Sequence, residues 1–394
     1  MINILRFSAT GQHILGVAFC SGLAYALMFP VVSYFLVEKL QVQPWQISLY
    51  VVLSTVSGVL FSHFLGKWAD RGQPPKGLYL LSTLGLLIGS SAFALATQYW
   101  QVLLVGVLFI GLGNAALPQL LTLGRHEGNQ ESQPASYNAW LRAMLSLAWI
   151  GGPPLAFLVM AQWGFSTTFA TSASLFFLTF ALGAWVLPKT VTANRAHSDA
   201  QNQSLGPEVW WLGIAIVAGN FANLAYAIAM PIFVIKELHL PESLPGWALG
   251  LAAGLEIPFM IWAGRVAKPH SINGIIRAGL AVGFCFYLGM FLATEAWQIL
   301  VLQALNGVFF GIFAGLGITI IQDQLPHRLG FATAFYSNAM RIGMVLGSLS
   351  VGLIAQFFSY QGVVATSLVA VVISWIAFWF AQRLQPEPEA VPSQ

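Results

Sequence analysis

The chain has 394 residues, of which 57% are hydrophobic and only 7% are charged. A soluble domain carries about 25% charged residues, so this composition excludes a chain whose whole surface faces water. A lipid bilayer is the solvent that fits, because hydrocarbon needs no polar coat. The net charge of +3 does not indicate nucleic acid, since the basic residues are scattered singly between apolar runs. We therefore expect a membrane protein without a nucleic-acid partner.

Apolar runs of about 20 residues, the length that crosses a bilayer, recur along the whole chain. Each must be helical, because every backbone N–H in lipid needs a partner within its own segment. The first run is too long to be the apolar part of a signal peptide. We predict an all-α membrane protein with twelve transmembrane helices, near 13–36, 46–66, 77–97, 101–122, 137–161, 167–187, 209–234, 245–264, 273–293, 298–321, 332–355 and 362–382.

Lys and Arg residues are distributed unequally between the two sides of these spans. With the N-terminus on the cytoplasmic side, Lys39 and Lys236 fall outside, Arg142 and Arg341 lie within spans, and twelve fall inside. Cytoplasmic loops carry the excess of basic residues, so we expect both termini in the cytoplasm. The twelve are Arg6, Lys67, Arg71, Lys76, Arg125, Lys189, Arg195, Arg265, Lys268, Arg277, Arg328 and Arg383.

The longest polar stretch, 189–208, predicts a cytoplasmic linker between a six-helix bundle at 1–188 and another at 209–394. The two bundles repeat motifs in the same order. Residues 96–101 read ATQYWQ and residues 293–298 read ATEAWQ. The spacing of five between Tyr137 and Arg142 returns between Tyr336 and Arg341. Parallel six-helix repeats are one way in which secondary transporters build a central site at the repeat interface.

The loop after the second span, 66–72, reads GKWADRG. It resembles the Gly-x-x-x-Asp-Arg-x-Gly-x-Arg loop of the major facilitator superfamily, although Gly72 comes one place early and the later basic residue is Lys76. With twelve spans in two halves, the resemblance implies the major facilitator fold. It also implies that Asp70 and Arg71 take part in gating. Asp323, at the cytoplasmic end of the tenth span, is a further gating candidate.

Three further stretches narrow the resemblance: LRAMLSLAWIGGPPLAF at 141–157, AAGLEIPFMIWAG at 252–264 and GIFAGLGITIIQDQLPHRLGFAT at 311–333. They are similar to the sugar efflux transporter family of bacterial inner membranes, and the similarity runs over essentially the whole chain. The family implies a monomer without a cofactor that exports lactose, glucose and related glycosides, driven by proton entry. Residues 151–154, GGPP, also resemble part of the Gly-Pro motif of superfamily antiporters.

One acidic residue, Glu256, lies in the middle of a predicted span. An ionised side chain at that depth costs about 2.5–3.5 kcal/mol, so the carboxyl can be neutral at one stage of a cycle and ionised at another. A proton carrier needs these properties. The alternative is a structural carboxyl paired with arginine or backbone. Arg142 and Arg341 either act on the substrate path, by bonding sugar hydroxyls or by resetting Glu256, or are structural, by snorkelling or by forming an ion pair.

A sugar site needs planar hydrogen-bonding groups and an aromatic face. On the seventh span Asn220, Asn223 and Tyr226 fall at i, i+3 and i+6, and we expect them to share one broad face. Each candidate can instead be a polar side chain that joins helices. The remaining candidates, on spans four, five, ten and eleven, are Asn114, Gln119, Asn138, Trp140, Asn306, Tyr336 and Asn338.

Glycines repeat every fourth residue at 246–254, 307–315 and 343–347, which predicts closely packed helices. No GxxxxGK[ST] or HExxH motif occurs, so neither an ATP cassette nor a metal-dependent enzyme is indicated. Cys20 and Cys285 lie in apolar runs, and we expect no disulfide or metal site. The nearest alternative function is efflux of amphipathic drugs, since 29 Phe and 14 Trp suit an apolar pocket as well as lipid. The missing catalytic clusters and the repeat disfavour a membrane-embedded enzyme or receptor.

Overall fold

The computed structural model describes residues 7–128, 134–188, 205–267, 272–325 and 328–384. Within these ranges the secondary structure is helical and contains no strand. Eleven helical segments in this part of the chain are long and apolar enough to cross a membrane. The predicted all-α membrane class is confirmed.

We number the helices α1 to α12 in chain order. The first half contains α1 (Ala9–Glu38), α2 (Pro44–Asp70), α3 (Pro75–Leu95), α4 (Tyr99–Val105, a π turn at Gly106–Ile110, Gly111–Gly113 and Ala116–Gly128), and α5 and α6 within Pro134–Val186. The second half contains α7 (Pro207–Ile232, extended by a π turn at Phe233–Glu237), α8 (Leu244–Val266), α9 (Ile272–Leu292), α10 (Ala296–Gln324), α11 (Leu329–Phe357) and α12 (Tyr360–Leu384).

The longest helical segment, Pro134–Val186, is broken at Gly164, whose φ of 80° and ψ of 174° are not helical. Positive φ favours glycine, which has no Cβ to clash with the backbone. The break lies between the predicted spans 137–161 and 167–187. We therefore name 134–163 α5 and 165–186 α6. The eleven segments do not match the predicted twelve one for one, because the fifth and sixth spans are two arms of one segment.

Contacts with α1 show that the chain reverses direction at this break. Before it, the residue numbers of the contacting positions rise together, as in parallel helices. After it, they run in opposite directions, as in antiparallel helices. The pairs are Gly22 with Ala148 and Ala26 with Gly152 before the break, and Phe35 with Phe165 and Ala24 with Ser172 after it.

The two halves repeat two kinds of contact. The ATQYWQ and ATEAWQ motifs both start helices with a capping box, in which Gln101 and Gln298 each accept two backbone N–H bonds. Ser172 of α6 donates to the Ala24 carbonyl of α1, and Ser374 of α12 donates to Ala215 of α7, both at 2.8 Å. These matched bonds favour a duplicated fold. The linker itself lies largely outside the described residues, and its boundaries stay a prediction.

The halves meet closely at the end where α1 finishes and α2 begins, which we call the closed end. Ser48 of α2 donates a hydrogen bond to the Ser348 carbonyl of α11 and accepts one from the Gly352 amide at 2.6 Å. Lys236 of α7 forms an ion pair with Glu38 of α1. The Tyr34 hydroxyl also donates to Glu242 at 3.1 Å. Polar bonds thus reinforce the apolar packing between the halves here.

Glycines of α8 allow its backbone to touch α5 at the closed end. A Cβ at Gly250 would lie 2.6 Å from the Ile150 carbonyl oxygen, whereas at Gly254 the nearest such atom is 3.9 Å away. A Cβ at Gly264 would meet nothing within 4 Å. The helices therefore diverge toward the opposite end, which carries Ala9 and Leu384 and which we call the open end.

The other two glycine series also lie at close helix contacts, as predicted. Gly307, Gly311 and Gly315 pack against α8, and Gly343 and Gly347 pack against α7. Small residues let helix backbones approach each other closely in lipid. Such close packing matters there because lipid tails are as apolar as the side chains, so the hydrophobic effect does not drive helices together. The predicted close packing is confirmed.

Replacing Gly250 with Leu should weaken the closed end, because the new side chain would overlap Ile150 and Pro154 of α5. Overpacking costs about 1–3 kcal/mol, which changes a two-state equilibrium by about 5–150-fold. Spin labels at the exposed Thr97 and Thr294 should report a longer distance between halves. Gly264→Leu is the matched control and should leave that distance unchanged; an unchanged distance in Gly250→Leu as well would contradict the assignment of the closed end.

Candidate functional site

A cavity of about 320 Å³ lies between the halves, which we call the Glu256 cavity. Its volume is in the range of about 300–1,000 Å³ that is typical of small-molecule sites. The second half contributes polar groups and the first half contributes aromatic rings. The side chains used below are Asn220 and Asn223 of α7, Glu256 of α8, Asn306 of α10, Phe29 of α1 and Trp149 of α5.

Glu256 is half-buried, and its direction is set by the packing of α8 on α10. A Cβ at Gly311 would lie 2.7 Å from the Glu256 carbonyl oxygen, so the two backbones touch. Glu256 follows Leu249 by two helical turns, and both residues line the cavity. Within the described ranges its carboxylate has neither an ion pair nor a hydrogen-bond partner, so this carboxylate is available to water or to a ligand in the cavity.

Arg142 and Arg341 are exposed and do not line the Glu256 cavity. Arg142 precedes Trp149 by seven residues, which places both on one face of α5, about 10 Å apart along the axis. Arg341 lies eleven residues, or about three helical turns, before Gly352. Gly352 contacts Ser48 of the first half. Each arginine therefore lies on a helix face directed at the opposite half. The sequence allowed a structural ion pair between Glu256 and an arginine. No such pair is formed among the described residues.

Two of the three asparagines of the cavity are held by hydrogen bonds within their own half. Asn220 donates to the Ile216 carbonyl at 2.9 Å, and Asn306 donates to the Gln303 side chain at 3.2 Å. Gln303 in turn donates to the Tyr226 hydroxyl at 3.1 Å. These bonds fix the amide planes and leave further donors and acceptors of the cavity asparagines for a ligand.

The predicted shared face of Asn220, Asn223 and Tyr226 is wrong for Tyr226. Its side chain is fully buried and packs edge-on against Phe286 at 5.1 Å between ring centroids, away from the cavity. Six residues of helix rotate the side chain by about 240°, beyond the face that the two asparagines share. Tyr226 supports the cavity only indirectly, through Gln303.

The other predicted binding residues are spread over the molecule. Asn114 lines a separate cavity of the first half, described below. Trp140 packs against the first-half core, and the Tyr336 hydroxyl donates to the Ala314 carbonyl at 3.5 Å. Four of these candidates line none of the cavities discussed, namely Gln119, Trp140, Tyr336 and Asn338. The Asn138 side chain lies outside the described part of the structure.

The predicted gating residues belong to the open end. Arg71 follows the last residue of α2 and is exposed, and Asp323 is exposed near the end of α10. Asp70 ends α2, but its side chain lies outside the described part of the structure. The gating role of all three stays a prediction.

Three aromatic residues of the site were absent from the predictions. Trp149 lines the Glu256 cavity and two neighbouring cavities. The Phe29 ring lies edge-on to Trp149, with centroids 6.3 Å apart, and stacks on Tyr25 at 5.9 Å. The sequence does hold a signal for them. Tyr25 and Phe29 are one turn apart on α1, and Trp149 follows Arg142 by seven residues on the same face of α5.

The site thus combines a carboxylate and amides on one wall with aromatic rings on the other. Amides and carboxylates bond hydroxyl groups, and aromatic faces cover the apolar side of a ring. Such a cavity suits an uncharged, hydroxyl-bearing ring better than a flat apolar molecule.

Comparisons with known proteins show the family to which the chain belongs. The family model described as Major Facilitator Superfamily matches residues 14–296 and 275–394. Sugar efflux transporter A of Dickeya chrysanthemi is 34% identical over 368 residues, covering 92% of this chain and 93% of the relative. Sugar efflux transporter A of Escherichia coli (strain K12) is 33% identical, covering 94% of each chain. Multidrug resistance protein MdtG of Citrobacter koseri is a weaker match at 24% identity, also covering 94% of each.

Among solved structures, the nucleoside transporter NupG superposes with a TM-score of 0.82 at 12% identity, covering 94% of this chain and 99% of that one. At this identity the likeness shows the fold alone, and the fold is that of the predicted superfamily. The match to the family model and the identity with the sugar efflux relatives both extend over nearly the whole chain. The chain therefore belongs to the sugar efflux transporter family of the Major Facilitator Superfamily.

Proposed function

We propose that the protein exports sugars across the bacterial inner membrane by proton antiport, as a monomer, with the Glu256 cavity as its substrate site. The observation that carries the proposal is the cavity itself. It holds a carboxylate that has no partner among the described residues, and three amides opposite an aromatic wall, between two halves that pack closely at the closed end. Relatives that are 34% and 33% identical over more than 90% of this chain are named as sugar efflux transporters.

Each wall of the cavity has a separate part in sugar binding. The amides of Asn220, Asn223 and Asn306 bond the hydroxyls of the sugar, in competition with water. Phe29 and Trp149 cover the apolar face of its ring. A cavity that needs several hydrogen bonds satisfied rejects ligands lacking them, because its own polar groups would be left unpaired. This requirement favours sugars over amphipathic drugs.

Proton coupling is assigned to Glu256 and alternating access to the rocking of the two halves. With both termini in the cytoplasm, the open end faces the cytoplasm, and the structure represents the state that takes up sugar. Glu256 releases its proton to the cytoplasm in this state. After the halves rock, a proton entering from outside neutralises the carboxyl and resets the cycle. Arg142 and Arg341 either hydrogen-bond the sugar hydroxyls or help to reset the charge of Glu256 during the cycle.

Glu256→Gln should abolish sugar export driven by a pH gradient, because glutamine cannot carry the proton. Exchange of labelled for unlabelled sugar, which needs no net proton movement, should persist. Purified protein in liposomes allows both measurements on one sample. Glu208→Gln, in the first turn of α7 and off the cavity, is the matched control. Gradient-driven export at the wild-type rate in Glu256→Gln would exclude the carboxyl from coupling.

Trp149→Ala should raise the KM for sugar by about tenfold or more, since each 1.4 kcal/mol of lost contact energy is worth tenfold. Trp185→Ala serves as the control, because this indole is 81% exposed and lines none of the three cavities. Transport kinetics over a range of sugar concentrations provide the test. Equal KM values for the two variants would mean that the aromatic wall does not hold the substrate.

The assignment of the open end to the cytoplasm predicts the position of both termini. A green fluorescent protein fused after Gln394 should fluoresce in cells, since it folds in the cytoplasm. A fusion placed in the loop between α1 and α2 should stay dark. Fluorescence from the loop fusion alone would invert the orientation and, with it, the side from which this state takes up sugar.

A further inference from the structure

A second cavity, of about 360 Å³, lies inside the first half, among α1, α3, α4, α5 and α6. We call it the first-half cavity. No Asp, Glu, Lys, Arg or His residue is among its lining residues. It is as large as the Glu256 cavity and within the size range of small-molecule sites. Its polar lining consists of Ser21, Tyr25, Tyr79, Thr83 and Asn114.

Asn114 is the polar group of this cavity with the most unused bonding capacity. The Tyr25 hydroxyl donates to the Asn114 side-chain oxygen at 2.7 Å, which fixes the amide plane. The nitrogen of that amide lies beside Gly58 of α2, where an added Cβ would be 2.5 Å from it, and its two N–H bonds have no acceptor among the described residues. The other hydroxyls are already engaged: Ser21 with Tyr79 at 2.8 Å, and Thr83 with the Tyr79 carbonyl at 2.9 Å. The amide therefore presents donors for a ligand acceptor such as a hydroxyl oxygen.

The fold does not require a cavity at this place, because the second half fills the corresponding space. Counted from the starts of α3 and α9, the positions that correspond to Tyr79 and Thr83 are Ile276 and Leu280, and both are buried in the second-half core. α10 is also one continuous helix, whereas α4 contains a π turn and a break just after Gly113. Irregular turns of this kind occur frequently at functional sites. The first half has thus diverged from its repeat at the point where Asn114 enters the cavity.

Trp149 separates the first-half cavity from the Glu256 cavity and lines both. A smaller cavity of about 110 Å³ lies between them and shares Tyr25 and Asn114 with one and Phe29 with the other. The three spaces are therefore neighbours around one indole ring. A ligand that is held by the Glu256 cavity can extend past this ring into the first half.

We propose that the first-half cavity is a second ring subsite of the transporter. A substrate of two linked rings places one ring in the Glu256 cavity and the other, uncharged and hydroxyl-bearing, beside Asn114. A single-ring sugar fills the Glu256 cavity alone. Asn114 then sets the preference between sugars of different length. This inference rests on the proposed function, because it adds a subsite to the same substrate path.

The test compares a one-ring sugar, glucose, with a two-ring sugar, lactose, in liposomes containing the full chain. Asn114→Leu removes the amide and Ser21→Leu fills the cavity from α1. In either variant the KM for lactose should rise about tenfold or more relative to the KM for glucose, which corresponds to at least about 1.4 kcal/mol. Size-exclusion profiles and thermal unfolding identify which variant is correctly folded, and either one suffices.

An unchanged ratio of the two KM values in a folded variant would overturn the subsite while leaving the proposed function intact. A wild-type protein that transports neither sugar would overturn the subsite and the proposed function together. Equal weakening for both sugars would also contradict the subsite, since it would mean that the first-half cavity supports the fold or the conformational cycle and not a second ring.

Discussion

The arrangement depends on one carboxylate held at mid-membrane depth without an ion-pair partner among the described residues. An ionised carboxyl in hydrocarbon is costly, so Glu256 must face water, take up a proton or acquire a partner during the cycle. Its direction is not free, because Gly307 and Gly311 hold the backbone of α10 against the backbone of α8 at Glu256. The carboxyl therefore points into the space between the halves. Any change in how the halves fit together changes its surroundings, which is the physical basis of the proposed coupling.

Duplication supplies the scaffold, and divergence between the halves supplies the site. The capping boxes of α4 and α10 are the same, as are the serine bonds from α6 to α1 and from α12 to α7. The chemistry is unequal, since the second half carries the carboxylate and amides while the first carries the aromatic wall. Only closure of both halves around a ligand brings the two kinds of wall into contact with it, so substrate binding and rocking are linked.

Much of the fold could be predicted from the sequence, because apolar runs, glycine series and basic loops each have one physical cause. The depth of Glu256 followed from its position within a run, and the break at Gly164 fell in a predicted gap. The directions of side chains were harder to predict. Tyr226 was expected beside Asn220, but six residues of helix turn it into the core. Composition alone does not separate cavity-facing from lipid-facing rings among 14 Trp residues, and Trp149 is singled out only by its spacing of seven residues from Arg142.

Proton exchange on sugar binding tests the central claim most directly. Sugar is added to the purified protein in weak buffer near neutral pH, and the protons released or taken up are counted at saturation. Linkage between sugar binding and the charge of one carboxyl predicts an exchange of up to about one proton per bound sugar in the wild type and none in Glu256→Gln. The same exchange in both proteins would show that another group carries the proton, and the account of coupling given above would be wrong.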